Sequence, residues 1–458
     1  MAEEQDGLMT SIDRLKLARL HAVEEQRFID THPESARLAS QAAESLLAGV
    51  PMPWMTRWPG AFPIFVDEAV GGRFTDVDGQ TYVDLCLGDT GSMTGHCLPA
   101  VAEAVNERTR RGITTMLPSD DAIWVGQELA RRFGVPRWQM AMTATDANRF
   151  ALRVARAVTG KPKVLVFNGC YHGTVDDTMV ELRDGKTTAR PGLTGQVTDL
   201  ATLATCVEFN DLAAVEAALK TGEIAAILTE PVMTNSCMVL PAPGFHDGLR
   251  ALATQYGALL VIDETHTISS GLGGYTRVHG LDPDIFVTGK CVAGGMPTAV
   301  WGLRPGVAAK YRAYNETRPS GHSGMGTTLS ANPMQFACLR ATLGKVMTKK
   351  TYAHMEQGAA RLEKGLNAVI ARHKAPWHVT RVGARVEFIC AEGPLRNGTE
   401  AAAAHSPEVE AALHTALLNR GCLIAPFHNM MLVSPATTKR QIDRLIAAFD
   451  EILTDLFS

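Results

Sequence analysis

Two ionisable residues, each closing a short apolar segment, indicate the chemistry of this chain. Lys290 ends the segment DIFVTGK, and Asp263 ends the segment ALLVID. A lysine amine can condense with an aldehyde, and a carboxylate can keep the nitrogen of a pyridine-type ring protonated. Both segments are typical of buried strands, where an ionised carboxylate would be costly without a partner. The pair therefore indicates amino-group chemistry on an aldehyde-bearing cofactor.

The start of one helix offers a place for a phosphate group. Apolar residues recur with helical spacing over residues 146–158, and Gly160 ends the helix. Thr143, Ala144 and Thr145 come at its start. Free backbone N–H groups and two hydroxyls therefore meet where the helix dipole favours an anion. Taken alone, this segment would be better explained by Thr145 as an ordinary helix cap.

A loop with an aromatic residue follows another apolar segment. NGCYHG comes directly after KVLVF, so Tyr171 and His172 should emerge at the carboxyl edge of a strand, where open α/β sheets bind ligands. Tyr171 could stack on a pyridine ring, although such loops are often simple turns. A phosphate-binding helix start, an aromatic residue, Asp263 and Lys290 thus follow one another along the chain, each at the end of its own strand, and these are groups that pyridoxal phosphate could use.

Two other kinds of site are disfavoured. Asp263, Glu264 and His266 are all possible metal ligands, but no second histidine lies nearby at metal-binding spacing. His266 is therefore interpreted as a hydrogen-bonded structural residue, and no metal is expected. A nicotinamide-dependent dehydrogenase is weakened as well, because GLGGY at 271–275 lacks the GxGxxG order.

Composition narrows the class of protein. The chain has 458 residues, enough for a large and a smaller domain, and a formal net charge of -4 from 44 basic and 48 acidic residues. Nucleic acid is therefore not an expected partner. Nine scattered cysteines without a CxxC pair indicate reduced thiols. The acidic start and the lack of a membrane-length apolar stretch predict a cytoplasmic enzyme without a membrane partner.

From about residue 100, helical segments alternate with short apolar runs, which predicts an α/β fold with a mostly parallel sheet and helices on both faces. The runs predicted as strands are 163–167, 224–228, 258–262, 284–287 and 298–301.

Both ends of the chain have a different pattern. A helix over 11–48 and a small antiparallel sheet with turns at Gly71–Gly72 and Asp78–Gly79 are predicted first. After Pro333 come a long helical stretch, the strand-like VTRVGARVEFIC, and an alanine-rich surface helix near 400–413. The predicted domains are an N-terminal segment, 1–85, a large cofactor-binding domain, 86–335, and a small α+β domain, 336–458.

Several ordered blocks together resemble the class III aminotransferases, a group with ornithine and ω-amino acid aminotransferases and glutamate semialdehyde aminomutase. The resemblance runs from about residue 60 to the C-terminus, in the blocks TATDANRFALRVARAVTG, FNGCYHG, TEPVM, LVIDETHT, DIFVTGKCVAGGMP and GTTLSANP. It implies the type I pyridoxal-phosphate-dependent transferase fold.

The resemblance also implies roles for individual residues. Lys290 would condense with the cofactor aldehyde, Asp263 would pair with the ring nitrogen, and Thr328 would reach the phosphate of a neighbouring subunit in a homodimer with shared active sites. The implied cofactor-binding residues are Thr143, Ala144, Thr145, Tyr171, His172, Glu230, Asp263, Thr265, Lys290 and Thr328.

The chain departs from the family pattern in places. Ala144 replaces a glycine, Asp146 a glutamate, and Thr265 the usual valine under the ring. The pattern resembles the aminomutase and β-amino acid branch more than the ornithine branch. The candidate substrate residues are Trp54, Arg57, Arg385 and Phe427.

These features predict an aminotransferase that moves an amino group between an amine or amino acid, of β-amino acid or ω-amine type, and a keto acid or ketone. An aminomutase or amino acid racemase would use the same residues and remains an alternative. A non-catalytic, cofactor-binding regulatory protein is a third, disfavoured because Lys290 and Asp263 are both present.

Overall fold

A computed structural model describes residues 12–426 and 428–457. The chain divides into two units. The larger comprises Pro99–Tyr352 and Leu395–Ala402, and the smaller comprises the described parts of Met1–Leu98, Ala353–Pro394 and Ala403–Ser458. The predicted domain boundaries fell elsewhere, near residues 85 and 335, and that domain assignment stays a prediction.

The strands and helices are numbered in chain order. The strands are β1 Val66–Val70, β2 Arg73–Asp76, β3 Thr81–Asp84, β4 Arg137–Ala141, β5 Lys163–Phe167, β6 Val180–Arg183, β7 Lys186–Ala189, β8 Ala204–Val207, β9 Ile224–Thr229, β10 Leu259–Asp263, β11 Ile285–Thr288, β12 Ala299–Leu303, β13 His378–Val382, β14 Arg385–Ile389, β15 Cys422–Leu423 and β16 Met430–Leu432. The α-helices are α1 Arg14–Thr31, α2 Pro33–Ala42, α3 Pro99–Thr109, α4 Asp121–Phe133, α5 Ala144–Thr159, α6 Leu212–Leu219, α7 Phe245–Tyr256, α8 Gly274–His279, α9 Pro305–Glu316, α10 Pro333–Ala341, α11 Lys349–His373, α12 Gly398–Ala404, α13 Pro407–Asn419 and α14 Lys439–Phe457.

A seven-stranded sheet forms the centre of the larger unit, in the order β4-β12-β11-β10-β9-β5-β8. Its neighbouring strands pair in parallel, except that β12 is antiparallel to both β11 and β4. Every residue of β9 is buried, as expected for a parallel strand covered on both sides. The predicted, mostly parallel sheet is confirmed, and each of the five predicted runs forms a strand.

Helix α5 is the element that connects this sheet to the site. It packs on β4, β9, β10, β11 and β12 through a face that includes Phe150, Ala151 and Val154. The Thr143 side chain accepts a hydrogen bond from the backbone N–H of Asp146 at its start. Because both the buried face and the cap are fixed, the first turn of α5 has a fixed position at the sheet.

The smaller unit contains two sheets. In one, β1, β2 and β3 pair antiparallel and β15 joins β3 in parallel, which confirms the predicted N-terminal antiparallel strands. The other has the order β13-β14-β16 and is antiparallel. The segment VTRVGARVEFIC thus forms two strands, because the chain turns at Gly383, which has a φ of +58°.

Two predicted helices are interrupted. The first is divided at His32 into α1 and α2, because Pro33 follows and restricts the conformation of the residue before it. The helical stretch after Pro333 contains a π-helical turn at Thr342–Val346 before α11 begins. Hydrophobic spacing alone reports neither the effect of Pro33 nor the π-helical turn.

The sequence predicted that the alanine-rich helix lies at the surface, and this prediction was wrong for its second part. Its second part, α13, packs against α1 and α14 within the smaller unit, with Ala412, Leu413 and Ala416 fully buried. Small alanine side chains let helices approach one another closely, so the same composition serves a helix interface.

None of the helices within residues 12–426 and 428–457 combines the length and the apolar character needed to cross a membrane. All nine cysteines lie in this part of the chain, and six of them are buried.

Candidate active site

The candidate site lies at one edge of the central sheet. Strands β5, β9, β10 and β11 run parallel, so their carboxyl ends meet at this edge. The loop with Tyr171 and His172 follows β5, Glu230 follows β9, Asp263 ends β10, and Lys290 follows β11 by two residues. The larger unit thus brings these five predicted residues to one edge.

Asp263 is a buried carboxylate with its oxygens held by protein donors. Asn148 donates from Nδ2 to Oδ2 at 2.8 Å, and His172 Nδ1 lies 3.0 Å from the same oxygen. Thr265 donates to Oδ1 through its backbone N–H at 3.1 Å and its hydroxyl at 2.6 Å. Burial would raise the pKa of Asp263, but the hydrogen bonds from His172, Thr265 and Asn148 lower it to about 2.

His172 is held against Asp263 as its positively charged partner. Burial alone would lower the pKa of His172, but the nearby Cys170 sulfur and the Asp263 carboxylate raise it to about 10. Asn148 Nδ2 also donates to the backbone carbonyl of His172 at 3.2 Å, which fixes the loop after β5. The result is an ionised pair at the end of β10.

Asn148 was missed by the sequence analysis. It lies on the buried face of α5 with an exposure of 0%, one residue after Ala147. A polar residue on an otherwise apolar helix face was the signal, because a buried amide needs hydrogen-bond partners.

The start of α5 forms a cradle for an anion. The N–H groups of Ala144 and Thr145 are in the first turn, and the Thr145 hydroxyl accepts from the backbone N–H of Thr174 at 3.1 Å. Gly173 has a φ of +79°, and a Cβ there would lie 2.1 Å from Thr145 Oγ1. A Cβ at Gly289 would lie 3.0 Å from Ala144 Cβ, so the chain before Lys290 also passes close to this helix start.

Lys290 projects from an unusual backbone conformation. Its φ is +50°, in the left-handed region, and its side chain is half-buried. Such strain in a residue other than glycine is concentrated at functional sites. Its Nζ lies 2.5 Å from His266 Nε2. His266 was interpreted from the sequence as a hydrogen-bonded structural residue. It is hydrogen-bonded, and one of its contacts is to the candidate nucleophile.

Glu230 extends this contact into the interior. Its Oε2 accepts a hydrogen bond from the Thr234 hydroxyl, and Thr234 Oγ1 lies 2.6 Å from His266 Nδ1. Burial raises the pKa of Glu230, although the charge of nearby His172 opposes this. Thr234 was not identified from the sequence.

The three side chains considered as metal ligands have different partners. Asp263 faces Asn148 and His172, and His266 faces Thr234 and Lys290, whereas Glu264 accepts hydrogen bonds from Thr267 and the Tyr275 backbone. Within residues 12–426 and 428–457, no group of three or more His, Cys, Asp or Glu side chains is placed to hold a metal ion.

These residues fit pyridoxal phosphate. The cradle at Gly173 and the first-turn N–H groups of α5 suit a phosphate, and the ionised Asp263 suits a protonated ring nitrogen. Tyr171, 42% exposed, would stack on the ring, and Lys290 would supply the amine. Thr265 differs from the family's usual valine in donating its hydroxyl to Asp263.

The remaining predicted residues belong to other segments of the chain. Thr328 is exposed in a turn over residues 327–330 of the larger unit. Trp54, Arg57 and Arg385 belong to the smaller unit, where Trp54 is 38% exposed and Arg57 is exposed. Arg385 is fully buried in β14 and donates to the Thr90 hydroxyl. Phe427 lies outside the described residues.

Comparison with known proteins identifies the family. The chain is 33% identical over 423 residues to a glutamate-1-semialdehyde 2,1-aminomutase of Anaeromyxobacter dehalogenans (strain 2CP-C), which covers 90% of this chain and 96% of that protein. A crystal structure of a glutamate-1-semialdehyde aminomutase from Pseudomonas aeruginosa PAO1 is 48% identical with a TM-score of 0.95, over 97% of this chain and 99% of that chain. A β-phenylalanine aminotransferase from Variovorax paradoxus is 27% identical with a TM-score of 0.85, over 96% and 97%.

The family model described as aminotransferase class-III matches residues 54–453. The match confirms the type I fold expected from the sequence and, with it, pyridoxal phosphate as the cofactor. On these grounds the chain belongs to the class-III aminotransferase family.

Proposed function

We propose that the protein is an aminomutase, which moves an amino group between neighbouring carbon atoms of one small amino aldehyde of the glutamate-1-semialdehyde type. The observation that carries the proposal is the 48% identity, over 97% of the chain, to the Pseudomonas aeruginosa aminomutase. The 33% identity to the Anaeromyxobacter enzyme supports the same activity.

The proposal differs from the main prediction made from the sequence, which was an aminotransferase, and adopts its alternative. An aminomutase performs the two halves of a transamination on one substrate molecule, so both reactions need the same amine, carboxylate and phosphate site. An aminotransferase is the second candidate, because the β-phenylalanine aminotransferase has a similar fold over 96% of the chain. Enzymes of this family act on amino and keto compounds in either case.

The residues of the larger unit have separate tasks in this reaction. The first-turn N–H groups of Ala144 and Thr145 would bind the phosphate, and the ionised Asp263 would hold the positive ring nitrogen. When bound, pyridoxal phosphate supplies an electron sink for the carbon that carries the amino group. The Lys290 amine would take a proton from a carbon atom of the bound substrate and return it to a different carbon atom. Tyr171 would orient the ring by stacking.

The proposal includes a homodimer, in which Thr328 from one subunit reaches the phosphate held by the other. Trp54, Arg57, Arg385 and Phe427 stay candidates for substrate contact, and a cytoplasmic location stays a prediction.

A single-substrate assay tests the function. The purified protein with bound cofactor is incubated with glutamate-1-semialdehyde and no keto acid, and the isomeric amino ketone is measured. We expect many turnovers per subunit, and none with Lys290→Ala. Conversion that required an added keto acid would instead establish an aminotransferase, and a panel of β-amino acid donors would then identify its substrate.

A further inference from the structure

A continuous line of hydrogen-bonding side chains leads from Lys290 into the protein. Lys290 Nζ lies 2.5 Å from His266 Nε2, and His266 Nδ1 lies 2.6 Å from Thr234 Oγ1. The Thr234 hydroxyl also contacts Glu230 Oε2. Thr234 is fully buried, and His266 and Glu230 are each 5% exposed. The four side chains come from the ends of three neighbouring strands, β9, β10 and β11.

We infer that Glu230, Thr234 and His266 form a proton relay that removes a proton from the Lys290 ammonium group and restores the amine. The inference rests on the proposed role of Lys290 as the reacting amine. It assigns His266 to the chemistry as a residue in contact with the reacting nitrogen, and it makes Thr234 and Glu230 positioning residues that act through His266.

The relay is balanced in protons and charge. In one state Lys290 is an ammonium that donates to His266 Nε2, His266 Nδ1–H donates to Thr234, and the Thr234 hydroxyl donates to the Glu230 carboxylate. One proton then moves from Nζ to Nε2, one from Nδ1 to Oγ1 and one from Oγ1 to Oε2. In the second state Glu230 is a neutral acid that donates to Thr234, and the Thr234 hydroxyl donates to His266 Nδ1. Lys290 is then a neutral amine that accepts from His266 Nε2–H, and its lone pair reacts once that hydrogen bond opens.

The surroundings of Glu230 make the second state accessible. A neutral acid is favoured in a buried position, and burial raises the pKa of Glu230. The other charged groups that act on Glu230 oppose each other, since His172 stabilises its carboxylate and Asp263 disfavours it. The Asn235 amide, 3.5 Å from His266 Nδ1, is a weak competitor for the same nitrogen.

Histidine and threonine are suited to their places in this line. A neutral imidazole carries its proton on one nitrogen and accepts at the other, so it can pass a proton across the ring by changing tautomer. A hydroxyl is both donor and acceptor. Glutamine and valine have similar sizes to histidine and threonine, respectively, but cannot perform this exchange.

The relay is tested by the rate at which Lys290 captures its cofactor. Full-length protein freed of cofactor is mixed with pyridoxal phosphate between about pH 6 and 10, and the visible absorbance of cofactor joined to Lys290 is followed with time. Only the neutral amine reacts. We expect Thr234→Val and His266→Gln to move the pH midpoint of the capture rate upward by about one unit, which is about a tenfold slower capture at neutral pH.

Thr234→Ser is the matched control, because it keeps the hydroxyl, and we expect it to follow the original protein. Capture profiles of Thr234→Val and His266→Gln that coincide with the original profile would overturn the relay. A slower rate at every pH without a shifted midpoint would indicate a structural role only, and would overturn it too. Because no substrate is used, a relay that fails leaves the aminomutase proposal intact, whereas an original protein that captures no cofactor contradicts the proposed function itself.

Discussion

At the scale of single residues, the site depends on keeping one buried carboxylate ionised. A buried charge is tolerated only with a partner of opposite charge and with hydrogen bonds to its remaining lone pairs. Asp263 has both, since His172 supplies the charge and Asn148 and Thr265 supply the donors. The site is therefore prepared for a positive ring nitrogen by its own residues.

The charge of His172 should contribute to stability in a defined pH range. Its pKa rises from 6.5 to about 10 on folding, so its contribution is complete below pH 6.5 and is lost as the pH rises towards 10. Thermal midpoints of the original protein and His172→Gln, measured across this range, should differ most at the acidic end and approach each other at the alkaline end. A constant difference would show that the histidine is neutral in the folded protein.

The Thr265 hydroxyl should contribute measurably to the free energy of unfolding. It donates to Asp263 Oδ1 at 2.6 Å, and a hydrogen bond to a charged group contributes about 1.5–3 kcal/mol. Thr265→Val should lower the free energy of unfolding by that amount, measured by urea unfolding of the full-length protein without cofactor. Thr265→Ser keeps the hydroxyl and should lose much less, so equal losses in the two variants would contradict this role.

At the scale of elements, close approach of two backbones shapes the phosphate cradle. Helix α5 begins against the loop that follows β5, and glycine at position 173 is required there for two reasons. Its φ is positive, and a side chain would overlap Thr145. Gly192 separates the two requirements. Its φ is also positive, but a side chain there would overlap no other residue.

Gly173→Ala should weaken cofactor binding, whereas Gly192→Ala should not. The two glycines have φ values of +79° and +76°, but a Cβ at Gly192 would meet no atom within 4 Å. In both variants, backbone strain should lower the free energy of unfolding by about 1 kcal/mol. Only Gly173→Ala should also displace the start of α5 and lower the affinity for pyridoxal phosphate, by more than about tenfold. An absorbance titration measures this, and equal affinities would exclude the cradle.

At the scale of the whole molecule, the apolar runs predicted five of the seven strands of the central sheet and placed Tyr171, His172, Asp263 and Lys290 at strand ends. The strands β4 and β8 were not among the predicted runs, since RWQMA and ATCV lack a continuous apolar character. Asn148, Thr234 and His266 were missed or undervalued for a common reason. Each acts through a partner more than twenty residues away in sequence, and spacing along the chain reports only local neighbours.

Assembly into a homodimer is predicted to complete the phosphate site through Thr328. Thr328 is exposed in its turn, as expected for a residue whose partner lies in another subunit. A homodimer should have about twice the mass of one 49.3 kDa chain in light scattering. Losing one hydroxyl contact to a phosphate should weaken cofactor binding by roughly tenfold or more in Thr328→Ala, and Thr328→Ser should keep most of it.

Mixed dimers decide whether Thr328 serves its own subunit or the other. Lys290→Ala lacks the amine but keeps Thr328, and Thr328→Ala keeps the amine. If sites are shared, co-refolding the two variants produces dimers in which the site that retains Lys290 receives an intact Thr328 from its neighbour. Tight binding and the visible band of cofactor joined to Lys290 should then return in part of the mixture, although neither variant alone gives both. A mixture that behaves as the average of its two components would mean that Thr328 acts within its own chain or not at all. In that case the neighbouring subunit supplies no group that the site with Lys290 lacks.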